Sequence, residues 1–258
     1  MNEFVFSTDF LTEIDLSQTN DSKVKAVILK PQRTEMFYSA DIMGTTSIEL
    51  VKSALKGYAI FEKSVDNNTS IVEAVGEFAK DCDYIVALYA DTPLVTSSMV
   101  QDAVEYATTK GIDFCKLPRG AILKVSALQS NFEWTGEANF LAPKDFFCVF
   151  DYKTLAFARQ EVKHQILDKW LKRGVNILDT ENTYIEQEVN IAENVTICSG
   201  NVLKGTTLIK SGCVLGENNI IQNCEIGEKC HIINCYVLDK KIKSGSELLG
   251  EKLIGDKK

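Results

Sequence analysis

The first half of the chain alternates short apolar runs with segments of helical spacing. Residues 24–29 (VKAVIL) and 84–89 (YIVALY) are continuous apolar runs, as expected of strands that are buried on both faces of a parallel sheet. Residues 48–55, 71–78 and 99–107 place apolar side chains three and four positions apart, which predicts helices. This alternation of strands and helices predicts an α/β domain.

The last third of the chain follows a different period, of six residues. Small or β-compatible residues stand four places after most of its aliphatic positions, and the frame slips by one at Ile226 before it resumes at Ile232. This pattern predicts a hexapeptide β-helix, in which each short strand turns a corner and stacks on the coil beneath it. The aliphatic positions are Ile185, Ile191, Ile197, Leu203, Ile209, Leu215 and Ile221, and the small residues are Val195, Asn201, Thr207, Cys213 and Asn219.

One long amphipathic helix is predicted between these two regions. Residues 153–173 carry an apolar stripe that includes Leu155, Val162, Ile166 and Trp170, and Gly174 follows where a C-terminal cap is expected. The predicted organisation is therefore an α/β domain over residues 1–151, a connecting helix and junction over 152–182, and a β-helix stub over 183–258. The pattern gives no prediction for the structure of residues 1–23.

Composition and charge narrow the range of partners. The net charge is -8 and no basic cluster is long enough to follow a phosphate backbone, so we expect no nucleic-acid partner. No apolar run approaches the roughly eighteen residues that a membrane span needs, and the acidic N-terminal stretch lacks the features of a secretion signal. We therefore expect a cytoplasmic protein with no membrane partner.

The eight cysteines include no CxxC pair, and only two histidines are present. We interpret the cysteines as small, reduced, buried side chains in the β-helix corners and elsewhere. Cys224, Cys230 and Cys235 could in principle hold a metal, but the six-residue packing period explains them better.

Several segments resemble a known family. Residues 174–185 (GVNILDTENTYI) are similar to the family pattern GVTIIDPxNTYI, and residues 83–95 (DYIVALYADTPLV) are similar to VLVLYGDxPLL. Residues 27–36 (VILKPQRTEM) lie where relatives have VILAAGxGTRM. These segments resemble the bifunctional N-acetylglucosamine-1-phosphate uridyltransferase family, and the resemblance covers most of residues 24–240, closely at the junction and loosely in the first domain.

The resemblance implies a fold, a cofactor and an assembly. It implies an α/β Rossmann-like nucleotidyltransferase domain followed by a left-handed parallel β-helix built from hexapeptide repeats. Relatives with this architecture form trimers, so a homotrimer through the β-helix is expected. An active member would require Mg²⁺. The later β-helix coils that carry acetyl transfer in the family have no counterpart in this sequence.

The departures from the family concern catalysis. Lys30-Pro31-Gln32-Arg33 replaces the glycine-rich turn whose N–H groups wrap the nucleotide phosphates, and Glu35 stands where the family has its catalytic arginine. Phe150 takes the place of the second magnesium ligand, and phenylalanine cannot coordinate Mg²⁺. Asp151 could compensate for that loss, or it could simply open the connecting helix. We predict no catalytic residue.

Few candidate site residues remain. Asp91 matches the family's first magnesium-binding carboxylate, with a turn aspartate that bonds its own backbone as the alternative. Arg33 and Thr69, the latter in the weak counterpart of the uracil-recognition stretch, are candidate nucleotide-binding residues, with an exposed loop arginine as the alternative for Arg33. Lys116 and Arg119 could line the old cleft, but we interpret both as solvated loop residues.

Two functions are consistent with these residues. The first is a non-catalytic or greatly weakened relative of UDP-N-acetylglucosamine pyrophosphorylase, a pseudoenzyme that acts as a nucleotide-sugar-binding or assembly module. The second is an active Mg²⁺-dependent uridyltransferase, which would make UDP-N-acetylglucosamine from UTP and the sugar 1-phosphate. Loss of the glycine turn, the arginine and one metal ligand together favours the first.

Overall fold

A computed structural model describes residues 23–255 of the chain. Its first part contains eight strands and four helices, after which a fifth helix, α5 (Tyr152–Lys172), leads into a second part. The strands are β1 (Val24–Pro31), β2 (Asp41–Ile42), β3 (Thr45–Thr46), β4 (Ala59–Val65), β5 (Tyr84–Tyr89), β6 (Phe114–Leu117), β7 (Gly120–Lys124) and β8 (Gly136–Glu137). The helices are α1 (Glu35–Tyr38), α2 (Ser47–Ala54), α3 (Ile71–Gly76) and α4 (Ser97–Thr109).

The first part is built on a mixed six-stranded sheet of order β4-β1-β5-β7-β6-β8. β1 pairs in parallel with β4 and β5, whereas β7 runs antiparallel to β5 and β6. Alternate residues of β1 enter separate apolar clusters: Ala26 and Ile28 pack with α2 and α4, and Val27 and Leu29 pack with α3. Helices therefore cover both faces of the sheet, which is the layer arrangement of a Rossmann-like α/β protein.

Helix α5 joins the two parts. The Asp151 side chain accepts a hydrogen bond from the Thr154 N–H at 2.7 Å, and the Thr154 hydroxyl bonds back to the Asp151 N–H. This reciprocal capping fixes the start of the helix. Gly174 follows its end with φ +81°, a conformation that favours glycine. The apolar stripe, including the predicted Leu155, Val162, Ile166 and Trp170, is buried.

The second part consists of fourteen short strands between residues 176 and 254. They form three parallel sheets, of orders β10-β13-β16-β19-β22, β11-β14-β17-β20 and β21-β18-β15-β12-β9. Successive strands enter different sheets, which is consistent with a β-helix. The strands are β9 (Asn176–Ile177), β10 (Tyr184–Ile185), β11 (Asn190–Ile191), β12 (Thr196–Ile197), β13 (Val202–Lys204), β14 (Leu208–Ile209), β15 (Val214–Leu215), β16 (Ile220–Gln222), β17 (Glu225–Ile226), β18 (His231–Ile233), β19 (Tyr236–Leu238), β20 (Lys241–Ile242), β21 (Glu247–Leu249) and β22 (Lys252–Ile254).

The inward residue of each strand builds the core of this part. The seven aliphatic residues that define the six-residue period, from Ile185 to Ile221, are all buried. Because β9 pairs with β12, the stacked sheets already begin at Asn176, inside the segment predicted as the junction.

Short corners explain the change of frame after Ile221. Three pairs of successive inward residues are only five positions apart instead of six. These pairs are Ile221 and Ile226, Ile232 and Val237, and Val237 and Ile242. At each of these corners an asparagine or aspartate adopts positive φ: Asn223 at +53°, Asn234 at +51° and Asp239 at +51°. Asparagine and aspartate tolerate this left-handed conformation better than most residues.

Buried polar side chains fill other corners. The Asn219 amide donates to the Asn201 side chain and to the carbonyls of Gly216 and Ile232, at 2.9 to 3.0 Å, while its oxygen accepts from the Cys235 N–H at 2.9 Å. Five cysteines are buried, among them Cys213 and Cys230, whose thiols donate to backbone carbonyls of the next coil. No cysteine is in a disulfide within residues 23–255.

Within this range, no helix has the length and apolar character to cross a membrane.

Candidate functional site

The candidate site lies at the edge of the sheet where the three parallel strands β1, β4 and β5 end. These strands end at Pro31, Val65 and Tyr89. Since the carboxyl ends of parallel strands meet at one edge, the loops that follow them come together there. A cleft of about 200 Å³ opens between these loops. It is lined by Leu29, Pro31, Val65, Asp66, Asn67, Thr69, Ile71, Ala74, Tyr89 and Arg119.

Asp91 lies behind the wall of this cleft and is fully buried. Its two carboxylate oxygens accept hydrogen bonds from Arg119 Nε and Nη2, each at 2.7 Å. The Thr34 hydroxyl donates to the same carboxylate at 2.9 Å. Asp91 is therefore held by a bidentate ion pair with additional hydrogen bonding, which neither sequence interpretation of this residue, as a metal ligand or as a simple turn aspartate, anticipated.

Arg119 is placed by the turn between β6 and β7. Gly120, which follows it, has φ +139°, and a Cβ there would collide with the carbonyl oxygen of Ala87. Glycine is thus required for the backbone to pass so close to β5. The guanidinium carbon lies 4.3 Å from the centre of the Tyr89 ring. The expectation that Arg119 is a solvated loop residue is wrong, because the topology brings it to a buried carboxylate 28 positions away.

Charge at Arg119 is favoured despite its partial burial. Burial acts to lower the pKa of the guanidinium, but the hydrogen bonds and charge of Asp91 raise the pKa above its ordinary value. For the nearby Cys148 thiol, a raised pKa favours the neutral form. Burial first, and then the Asp91 charge, raise the pKa of this thiol to about 12. Cys148 is therefore a protonated thiol at neutral pH. Lys116, the other basic residue considered for the cleft, is exposed and pairs with Glu137 at 3.3 Å.

The loop after β4 forms one wall of the cleft and contains Thr69. One carboxylate oxygen of Asp66 accepts from the N–H groups of Asn68 and Thr69 and from the Thr69 hydroxyl, at 2.8 to 2.9 Å. These bonds, led by that of the hydroxyl, lower the pKa of Asp66. Ser70 then caps α3. The loop is held by its own hydrogen bonds and presents Asp66, Asn67 and Thr69 to the cleft.

The turn after β1 is a short 3-10 helix, Gln32–Thr34, that continues into α1. The Glu35 N–H bonds to the Gln32 carbonyl, and Thr34 turns inward to Asp91. Arg33 and Glu35 are both exposed, and neither is among the residues that line the cleft. Of the three sequence candidates, Thr69 lines the cleft, Asp91 lies directly behind Arg119, and Arg33 lies outside.

Residues 149–151, which were compared above with the family segment that contains the second metal ligand, make other contacts in this structure. The Val149 N–H donates to the Asp91 carbonyl at 2.8 Å, and Phe150 points outward with 53% of its surface exposed. The Asp151 carboxylate caps α5, and the Thr154 backbone and hydroxyl lower the pKa of Asp151. Of the two sequence interpretations of Asp151, the structure thus shows the helix opener.

These residues do not fit a magnesium ion. Both oxygens of Asp91 are engaged by a guanidinium, Phe150 offers no oxygen, and Asp151 serves as a cap. Among residues 23–255, no group of three or more histidine, cysteine, aspartate or glutamate side chains is placed to hold a metal. Cys224, Cys230 and Cys235 are buried, and their thiols donate to backbone carbonyls.

Fold and site together define the class: a Rossmann-like α/β protein with a cleft at the carboxyl edge of its parallel strands, followed by stacked parallel sheets of the β-helix kind. No family model matches the chain. A 57-residue segment is 37% identical to the bifunctional protein GlmU of Bifidobacterium longum subsp. infantis and, over the same length, to that of Limosilactobacillus reuteri. The match covers 22% of this chain and spans 12% of the length of each of these relatives. The similarity supports a partial relationship to GlmU.

Proposed function

We propose that this chain is a non-catalytic relative of the N-acetylglucosamine-1-phosphate uridyltransferases, retained as a module for binding a nucleotide or nucleotide sugar and for assembly. We also propose that the stacked sheets of the second part form a left-handed β-helix built from hexapeptide repeats. The observation that carries it is the turn after β1, where the phosphates of a nucleoside triphosphate would have to be held.

That turn has few means of holding a triphosphate. Pro31 has no N–H group, and the Glu35 N–H is already bonded to the Gln32 carbonyl. No glycine stands between residues 30 and 35 to allow a close backbone approach, and the Glu35 carboxylate is exposed at the turn. A triphosphate bound here would face a negative charge instead of a ring of donors, whereas phosphoryl transfer depends on such donors.

The cleft itself suits the less charged part of a nucleotide. Thr69 and Asn67 offer hydrogen-bonding groups, and Arg119 keeps N–H groups that Asp91 does not use. Asp66 adds a negative charge to the lining, and that charge disfavours a polyanion. We therefore assign the base and sugar of the ligand to this cleft. Arg33 remains a candidate contact for a phosphate that extends beyond it.

Binding in this mode should be independent of magnesium. We expect UDP-N-acetylglucosamine and UMP to bind with affinities that change less than about two-fold when Mg²⁺ is added, because both oxygens of the Asp91 carboxylate are engaged by Arg119. Thr69→Ala should weaken binding about five-fold through loss of a hydrogen bond, and Thr206→Ala, an exposed threonine of the β-helix, should leave it unchanged. Isothermal titration calorimetry measures both. UTP binding that Mg²⁺ tightens ten-fold or more would contradict this mode.

A specific surface supports assembly as part of the function. The outward residues of one sheet, Tyr184, Val202, Ile220 and Tyr236, lie side by side in register along β10, β13, β16 and β19. The neighbouring sheet carries Asn190, Leu208, Glu225 and Lys241 at the equivalent positions. A continuous apolar row on one face is the kind of surface that oligomers bury. We propose a homotrimer that buries this row.

Light scattering with two matched variants tests the assembly. Ile220 and Leu208 are equally exposed, at 39% and 38%, but only Ile220 belongs to the apolar row. We expect a trimer mass for the wild type and for Leu208→Asp, and a smaller mass for Ile220→Asp, since a charge would be buried in the interface. A monomer at micromolar concentration, or the same response to both substitutions, would rule out this interface.

A further inference from the structure

The buried carboxylate of Asp91 already has a cation beside it, supplied by the chain itself. We propose that the Arg119 guanidinium occupies the place of a divalent cation at Asp91, and that removing it opens a divalent-cation site there. The proposal stands on the geometry of this pair and does not depend on whether the chain is catalytic.

The pair engages both oxygens of the carboxylate. Both Asp91 oxygens accept from Arg119 at 2.7 Å, and Thr34 adds a third donor at 2.9 Å. A divalent ion binds a carboxylate oxygen at about 2.0–2.6 Å, closer than the guanidinium nitrogens lie now. Such an ion would have to displace the guanidinium and then remain next to its charge, so Arg119 excludes divalent ions as long as it is held in place.

The fold holds Arg119 in place from several sides. Its backbone is fixed by the β6–β7 turn, in which Gly120 permits the close approach to Ala87. Its guanidinium packs over Tyr89, and its remaining exposed surface forms part of the cleft lining. A side chain fixed in this way acts as a permanent cation, whereas a loosely held arginine could move aside for a metal.

Removal of the side chain would leave oxygen donors and access to water. The Asp91 carboxylate and the Thr34 hydroxyl would remain. Because Arg119 forms part of the cleft wall, the vacated space would be continuous with the cleft, and water could complete a coordination shell. Carboxylate, hydroxyl and water are ligands that suit Mn²⁺.

The test measures Mn²⁺ binding to the 258-residue chain, with electron paramagnetic resonance used to quantify the free ion. Arg119→Ala should bind one Mn²⁺ at least about ten-fold tighter than the wild type, and a second substitution, Asp91→Asn, should abolish the gain. Arg159→Ala is the matched control: it removes an arginine whose Nε donates to the backbone carbonyl of Asp41, and it should bind Mn²⁺ like the wild type.

Three results would overturn the proposal. One is a folded Arg119→Ala variant that binds Mn²⁺ no tighter than the wild type, and another is a wild-type Mn²⁺ site that Asp91→Asn abolishes. If Arg119→Ala is unfolded in the absence of metal, circular dichroism after addition of Mn²⁺ decides: recovery of the wild-type spectrum supports the proposal, and failure to recover overturns it.

Discussion

Replacing Trp170 with alanine should lower the free energy of unfolding by about 3–5 kcal/mol, the range measured for large aromatic side chains in protein cores. Trp170 is among the largest fully buried side chains and lies near the end of α5, where the helix meets the first coil of the β-helix. Its apolar cluster continues into the inward rows of the β-helix and, in the other direction, to Leu94 and Val149 of the first part. The cavity would therefore form at the point where the two parts join.

Trp170→Phe provides the control for this prediction. The indole Nε1 is buried without a hydrogen-bond partner in the structure, so phenylalanine removes an unsatisfied donor while it keeps most of the ring volume. We expect Trp170→Phe to cost less than about 1.5 kcal/mol. Urea unfolding followed by circular dichroism measures both variants. Equal losses for alanine and phenylalanine, or a negligible loss for alanine, would show that the ring does not connect the two parts through packing.

The β-helix rows could be predicted from sequence because their signal is local. Each inward residue from Ile185 to Ile221 stands six positions from the next, so the buried row can be read from the residue order. The shift at Ile226 was visible for the same reason. The later short corners at Asn234 and Asp239 were not anticipated, because they change the spacing of the row on which the prediction rests.

The Asp91–Arg119 pair could not be predicted in this way. The two residues are separated by helix α4 and strand β6, and only the antiparallel pairing of β7 with β5 brings the β6–β7 turn to the carboxyl edge. A pattern of spacing carries no information about such a contact. The available signal was Arg119 itself, a charged residue between Pro118 and Gly120 in a tight turn, which is equally typical of a solvated loop.

Asp151 shows how a local interaction resolves an open interpretation. Its sequence position allowed either a replacement metal ligand or a helix cap. The Thr154 side chain three residues later completes a reciprocal cap, and that pattern alone favours the helix start. Asp151 is engaged at the start of α5 and is therefore not available as a metal ligand beside Asp91.

Loss of catalysis is the prediction with the largest expected effect. Removing a single transition-state donor typically costs about 10²–10³ in rate. Under the proposed function, the turn after β1, the position of the family's arginine and the second metal ligand all differ from those of an active enzyme. Glu35 is exposed where a cationic residue would be needed, and Asp91 is neutralised by Arg119. We expect these differences to act on the same step, so their costs should not be additive, although each one should reduce the stabilisation of a transferring phosphate.

The most direct test is a pyrophosphate-release assay of the purified chain with UTP, Mg²⁺ and N-acetylglucosamine 1-phosphate. We predict no release above the protein-free background, at any protein concentration that keeps the chain soluble. Steady turnover that depends on Mg²⁺ and disappears in Asp91→Asn would contradict this account, because it would mean that Asp91 leaves Arg119 to serve in catalysis.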